Sequence, residues 1–278
     1  MQSVPSVTIL RPFLGLLLLG SGPGLALADT ETPQWAHVLD ELLVRAEAER
    51  LGRAAAARRG TPASAPLENP KAGGKLPHPV VANFIEYFSG GSGAKHWQAS
   101  RSRLETYRAM IEQVFDQEGL PQELLWVGLV ESGYNPLARS PKNAVGIWQF
   151  IPETAEAFGL RIEGPDERSD PAKSTRAAAR YLKLLYARFG DWPLALAAYN
   201  AGERTVQEAV RKGQTTDFWR LADAGLLPRE TQAYVPAVLA VQYLGEGRLG
   251  GLDPSNRQSR FRHRRSLAVS TANYTRRS

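Results

Sequence analysis

Leu124–Pro136 reads L-L-W-V-G-L-V-E-S-G-Y-N-P, and the seven residues before Glu131 are all apolar or glycine. The apolar positions do not keep to one stripe of a helix but run nearly all round it, the pattern of a helix buried on every side. A carboxylate at the end of such a helix is costly unless it is protonated, paired or used. Burial also raises a carboxyl pKa and makes the group a proton donor near neutral pH. Glu131 is therefore a candidate general acid on chemistry alone. A glutamate at a helix end can equally point into solvent, and periodicity does not separate the two.

Three further blocks lie downstream. Ser140–Phe150 reads S-P-K-N-A-V-G-I-W-Q-F, Ala197–Gly202 reads A-A-Y-N-A-G, and Pro228–Pro236 reads P-R-E-T-Q-A-Y-V-P. Each sets polar groups (Ser140, Gln149, Tyr199, Asn200, Glu230, Tyr234) among small or apolar neighbours. A few placed polar groups with aromatic walls are the composition of a sugar-binding cleft. Singly, each block has a plainer reading: Gln149 as a satisfied buried amide, Tyr199 as a core tyrosine, Asn200-Ala201-Gly202 as a helix C-terminus.

In this order, E-S at Glu131-Ser132, G-I-W-Q at Gly146–Gln149, A-Y-N-A-G at Ala198–Gly202 and E-T-x-x-Y-V at Glu230–Val235 resemble the lytic transglycosylases of the goose-lysozyme-like superfamily. The resemblance runs from Leu104 to Leu244. The segment Val80–His96, with F-I-E-Y-F-S-G, and Trp148 before the motif glutamine are similar to the membrane-bound lytic murein transglycosylase D group. The resemblance implies a mainly α, lysozyme-like domain of the goose type with a substrate cleft, and no cofactor or metal. It implies Glu131 as the single catalytic residue, with Ser132 fixing the local turn. Ser140 and Gln149 match positions that hydrogen-bond the sugars near the cleavage point. Tyr199 matches a tyrosine close to the acid. Asn200 supports its loop, Glu230 contacts substrate beyond the cleavage point, and Tyr234 lines that region. Trp148 and Phe150 stack on sugars or belong to the core, with Phe150 the better core residue.

Composition narrows the alternatives. The 278 residues are enough for one large domain or two small ones, and there is no cysteine. A disulfide framework, a thiolate nucleophile and a Cys-based metal site are excluded. His37, His78, His96 and His263 show no metal-ligand spacing. At the N-terminus, Arg11, the short apolar stretch Phe13–Leu19 and the small-x-small triplet Ala26-Leu27-Ala28 read as a signal peptide over 1–28. The apolar run is too brief to span a bilayer, and export to the periplasm, outer membrane or cell wall is expected.

The net charge of +6 is unevenly placed. Residues 253–278 carry seven arginines against Asp253, which leaves 29–252 at −1 once Arg11 is counted. That basic tail, 251–278, reads as solvated and disordered. An anionic envelope surface is a partner it fits; nucleic acid is not expected for an exported chain. Peptidoglycan glycan strands and proteins of cell-wall synthesis or remodelling are the partners the resemblance implies.

Between these ends, Pro33–Arg59 has helical spacing, and Gly60–Pro79 has the prolines and glycines of a linker. The division is thus a helix and linker over 29–79 and a catalytic domain over 80–250. Helices are expected over Leu104–Glu118, from Pro121 to Glu131, and over Pro152–Phe158, Thr175–Phe189, Trp192–Asn200, Arg204–Arg211 and Glu230–Leu244. A short strand is expected near Ile147–Phe150. Most glycosidases flank the bond with two carboxyl groups, and Asp166, Glu167, Asp170 and Glu230 are candidates for a second. The resemblance implies instead one acid that turns base. Its products would be 1,6-anhydro sugars. A lysozyme-type hydrolase and a non-catalytic peptidoglycan-binding protein are the rivals.

Overall fold

The computed structural model describes residues 78–90, 93–247 and 252. The signal peptide, the N-terminal helix, most of the linker and the basic tail fall outside the described residues. Among the described residues the chain is helical: α1 (Pro79–Ser89), α2 (Ala94–Glu118), α3 (Leu125–Ser132), α4 (Pro152–Ala157), α5 (Pro171–Phe189), α6 (Trp192–Ala201), α7 (Glu203–Gly213), α8 (Phe218–Asp223) and α9 (Arg229–Glu246). The expected strand near Ile147–Phe150 is reduced to isolated bridges, Val145 with Arg139 and with Phe150.

Three helices form the centre. In α3 every residue from Leu125 to Val130 is buried, and in α6 every residue from Trp192 to Tyr199. In α9 the run Ala233–Gln242 is buried without interruption. Apolar residues on all faces leave such helices no stable place except an interior. α9 packs against α1, α3 and α6, while α2 and α5 pack on each other. These outer helices divide into faces. α5, for example, buries Ala178, Tyr181, Leu182 and Leu185 and leaves Lys183 exposed.

Helix boundaries follow the local chemistry. Asp170 caps α5, its Oδ1 accepting from the backbone N–H of Ala172 at 3.0 Å and Lys173 at 2.9 Å. With Pro171 at the first helical position, the helix starts four residues before the Thr175 expected from periodicity. Asp191 and Asp217 cap α6 and α8 in the same way. α8 is too short for a periodic signal and was not among the expected elements. Pro121 does not open the acid's helix directly. It precedes a 3-10 turn, Gln122–Leu124, which leads into α3.

Candidate active site

Glu131 is the penultimate residue of α3, half-buried after six fully enclosed positions. The helix stops at Gly133, whose φ of +57° suits glycine. Its N–H donates to the Leu129 carbonyl at 2.9 Å. A Cβ at Gly133 would lie 2.5 Å from Ser100 Oγ, so α2 also needs glycine there to approach. Tyr134 follows with φ +63°, fully buried, its hydroxyl donating to the Leu125 carbonyl. Burial drives this phenol far above the ordinary tyrosine pKa, so it is a neutral anchor. The turn is thus pinned on the inside by Tyr134 and on the outside by α2.

The Glu131 carboxylate meets Tyr234 of α9. The Tyr234 hydroxyl donates to Glu131 Oε1 at 2.7 Å, across 103 residues of sequence. The resemblance placed Tyr199 beside the acid and Tyr234 farther along the substrate. Tyr199 is fully buried, and its hydroxyl donates to the Trp148 carbonyl at 2.8 Å. Tyr199 therefore fixes the G-I-W-Q loop to α6.

That loop is tied down from four sides. Ser132 Oγ donates to the Ile147 carbonyl at 2.9 Å, joining the acid's helix to the loop. Ser140 Oγ accepts from the N–H of Ala144 at 3.1 Å and of Lys142 at 3.3 Å, closing the turn from within. Gln149, at φ +47° and buried, donates Nε2 to the carbonyls of Gly146 at 2.8 Å and Ala138 at 3.3 Å. Gly146 has φ +85°, and a Cβ there would lie 2.0 Å from the Arg168 carbonyl. Trp148 is fully buried, with Nε1 donating to Thr175 Oγ1 at 2.9 Å, and Phe150 is buried beside Tyr181. Both are core residues, so Trp148 does not form a cleft wall.

Arg168 underlies the loop and was not singled out by the sequence. It is a buried guanidinium that binds Asp166 through Nε at 2.9 Å and Nη2 at 2.8 Å, and the carbonyls of Asn143 at 2.7 Å and Phe150 at 3.1 Å through Nη1. The other end of the site has a smaller clamp. Asn200 receives Thr231 Oγ1 on its Oδ1 at 2.7 Å and donates Nδ2 to Glu230 Oε1 at 3.3 Å. This joins the end of α6 to the start of α9, which carries Tyr234.

The candidate second carboxylates are all engaged. Asp166 holds Arg168, and that bond keeps its carboxyl below the usual range. Glu167 accepts from the Arg161 side chain and backbone and from Lys173 Nζ at 2.7 Å, which lowers its pKa to about 2. Asp170 caps α5 and Glu230 accepts from Asn200. Among the described residues no group of three or more His, Asp or Glu is arranged to hold a metal ion.

Residues 109–222 match the family model for the transglycosylase SLT domain. The chain is 41% identical over 145 residues to the membrane-bound lytic murein transglycosylase D of Escherichia coli K12, a match over 50% of this chain and 31% of that one. It is 36% identical over 127 residues to the peptidoglycan transglycosylase gp16 of Escherichia phage T7, over 43% of this chain and 9% of that one. The match therefore spans less than a third of either relative's length. Among solved structures, the lytic transglycosylase Slt of Pseudomonas aeruginosa is 22% identical, with a TM-score of 0.49, over 79% of this chain and 33% of that one. Glu131, Ser132, Ser140, Gln149, Tyr199 and Asn200 lie inside the SLT segment, and Glu230 and Tyr234 lie beyond its end.

Proposed function

We propose that this chain is a peptidoglycan lytic transglycosylase with a lysozyme-like catalytic domain over about 80–250, exported to the periplasm or cell wall. It cleaves the MurNAc-β-1,4-GlcNAc bond without water. The observation that carries this reading is the Glu131 carboxylate. It stands half-exposed at the end of a wholly buried helix, hydrogen-bonded by Tyr234 and next to a loop fixed by Ser132.

Glu131 gives its proton to the oxygen leaving the muramic acid C1, and the GlcNAc end departs with that proton. The N-acetyl oxygen of the same muramic acid stabilises the cationic C1. Glu131, now a carboxylate, takes the C6 hydroxyl proton as O6 bonds to C1. The product is a 1,6-anhydro end and the acid is regenerated. The Tyr234 hydroxyl stabilises the carboxylate between the two proton transfers, because a hydrogen bond to the charged form favours it. A buried, immobile scaffold around a half-exposed acid keeps the group aimed through both steps. Ser140, Gln149 and Glu230 are the residues we assign to the sugar-binding surface, with glycan strands as substrate. The wider partners, wall-remodelling proteins and an anionic envelope surface for the arginine tail, belong to the same reading.

A lysozyme-type hydrolase on this scaffold needs a second carboxylate to activate water. Asp166, Glu167, Asp170 and Glu230 are each held by other groups, which favours the one-acid route. Mass spectrometry of soluble products from purified peptidoglycan separates the readings. Muropeptides ending in 1,6-anhydro-muramic acid support transglycosylation. Products heavier by one water, with reducing ends, refute it in favour of hydrolysis. No released product, with glycan binding retained, leaves a binding protein.

A further inference from the structure

One face of α2 leads directly to the acid's turn. His96, Ser100, Arg103 and Tyr107 recur at spacings of four, three and four, which places them on one stripe of the helix. Each meets the turn after Glu131. Arg103 Nε donates to the Gly133 carbonyl at 2.7 Å, and its Nη2 reaches Ser100 Oγ at 3.4 Å. Ser100 Oγ is 3.3 Å from His96 Nε2. A Cβ added to Gly133 would touch Ser100, Arg103 and His96 together. The half-buried Tyr107 ring stacks with Tyr134, centroids 6.4 Å apart.

Arg103 differs from the other arginines that anchor this domain. Arg108, Arg161, Arg168, Arg180, Arg188 and Arg204 each pair with a carboxylate. Arg103 is exposed, and its bonds among the described residues go to a carbonyl and a hydroxyl, both neutral. Its neighbours on α2 are Lys95, His96 and Arg101, and the first acidic residue of the helix is Glu105. A guanidinium oriented by two neutral bonds, with Nη1 left over, is prepared for a carboxylate from outside the chain.

We propose that this stripe, with Arg103 at its centre, is a subsite for the carboxylates of the peptide stems carried by muramic acid. The inference rests on the peptidoglycan reading above. Such a stem leaves the sugar ring at the lactyl group on O3, two ring carbons from the C1 whose bond Glu131 protonates. The carbonyl that orients Arg103 belongs to Gly133, two positions after Glu131. Charge complementarity selects the occupant: glycan hydroxyls are neutral, whereas the stem brings carboxylates. The stripe is thus a specificity element that favours stem-bearing strands over denuded ones.

The test measures binding by the Glu131→Gln protein, which removes turnover from the readout. Soluble glycan strands are used with their stems and after an amidase has removed them. Stem-bearing strands should bind about tenfold more tightly, the size of one charge-assisted contact. Arg103→Met, in the same background, should abolish that advantage and leave the affinity for denuded strands unchanged. Arg103→Lys, which keeps the charge but not the fork, should retain part of it. Equal affinity of the parent for both strands, or an advantage that survives Arg103→Met, overturns the proposal. A parallel fall for both substrates in both Arg103 variants also overturns it, and leaves Arg103 as a clamp on the turn. The transglycosylase reading fails by a different result, the mass of the products, so reducing ends with an intact stem preference would sink that reading alone.

Discussion

Arg168→Met removes four side-chain hydrogen bonds at once: two to Asp166 and one each to the carbonyls of Asn143 and Phe150. The Arg168 side chain is 4% exposed and that of Asp166 16%, so solvent replaces few of these bonds. Removing one member of a buried pair costs about 3–5 kcal/mol, because the other is left without compensation. Arg139 Nη2, 3.8 Å from Asp166 Oδ2, offers a weak substitute and places the expected loss near the low end. A loss of about 3 kcal/mol lowers the melting temperature of a domain this size by about 6–12 °C. Urea unfolding at pH 7 is the assay, with the midpoint shifted and the slope unchanged. The double variant Asp166→Leu/Arg168→Met should recover part of the loss, since it leaves no orphaned charge. A single-variant loss under about 1 kcal/mol would refute the reasoning, because the guanidinium would then not be what holds the Gln149 loop.

Tyr234→Phe should lower kcat by about 10- to 100-fold, the equivalent of one hydrogen bond to a charged group, with an unchanged melting temperature; steady-state digestion of peptidoglycan measures the first and calorimetry the second. Gly146→Ala forces a Cβ to 2.0 Å from the Arg168 carbonyl at φ +85°, and should cost at least about 2 kcal/mol by urea unfolding. Asn200→Ala separates α6 from the start of α9, and should lower activity through the misplaced Tyr234 more than it lowers binding; comparing kcat with KM checks this. Glu167 is ionised more easily in the folded protein than in the unfolded chain, where its pKa is about 4.3. Its contribution is therefore complete above that value and is lost as pH falls toward about 2. Glu167→Gln should flatten the stability profile across that window, measured by urea midpoints at each pH.

The helices were legible where periodicity or an uninterrupted apolar run marked them. α3, α6 and α9 announce themselves because an all-apolar helix has one possible environment. α8 and the early start of α5 were missed for a common reason: an aspartate cap decides them, and a cap is one residue with no period. At the site, the motifs named residues but did not assign their bonds. Tyr199 and Tyr234 have the same side chain in similar surroundings, and only the packing of α9 on α3 brings the Tyr234 hydroxyl to Glu131. Arg103 and Arg168 were invisible as site residues because each holds its loop through backbone carbonyls, which carry no sequence signature.

The 103-residue separation between Glu131 and Tyr234 has a consequence for the order in which the protein is made. At about 5–20 residues per second, the acid leaves the ribosome roughly 5–20 s before its partner exists. α9 also packs against α1, so the first and last of the described helices close the fold together. A nascent or truncated chain that ends with the SLT segment at 222 carries the acid but neither Tyr234 nor α9. On the proposed mechanism, the Glu131–Tyr234 pair therefore forms only once the chain has been delivered through α9.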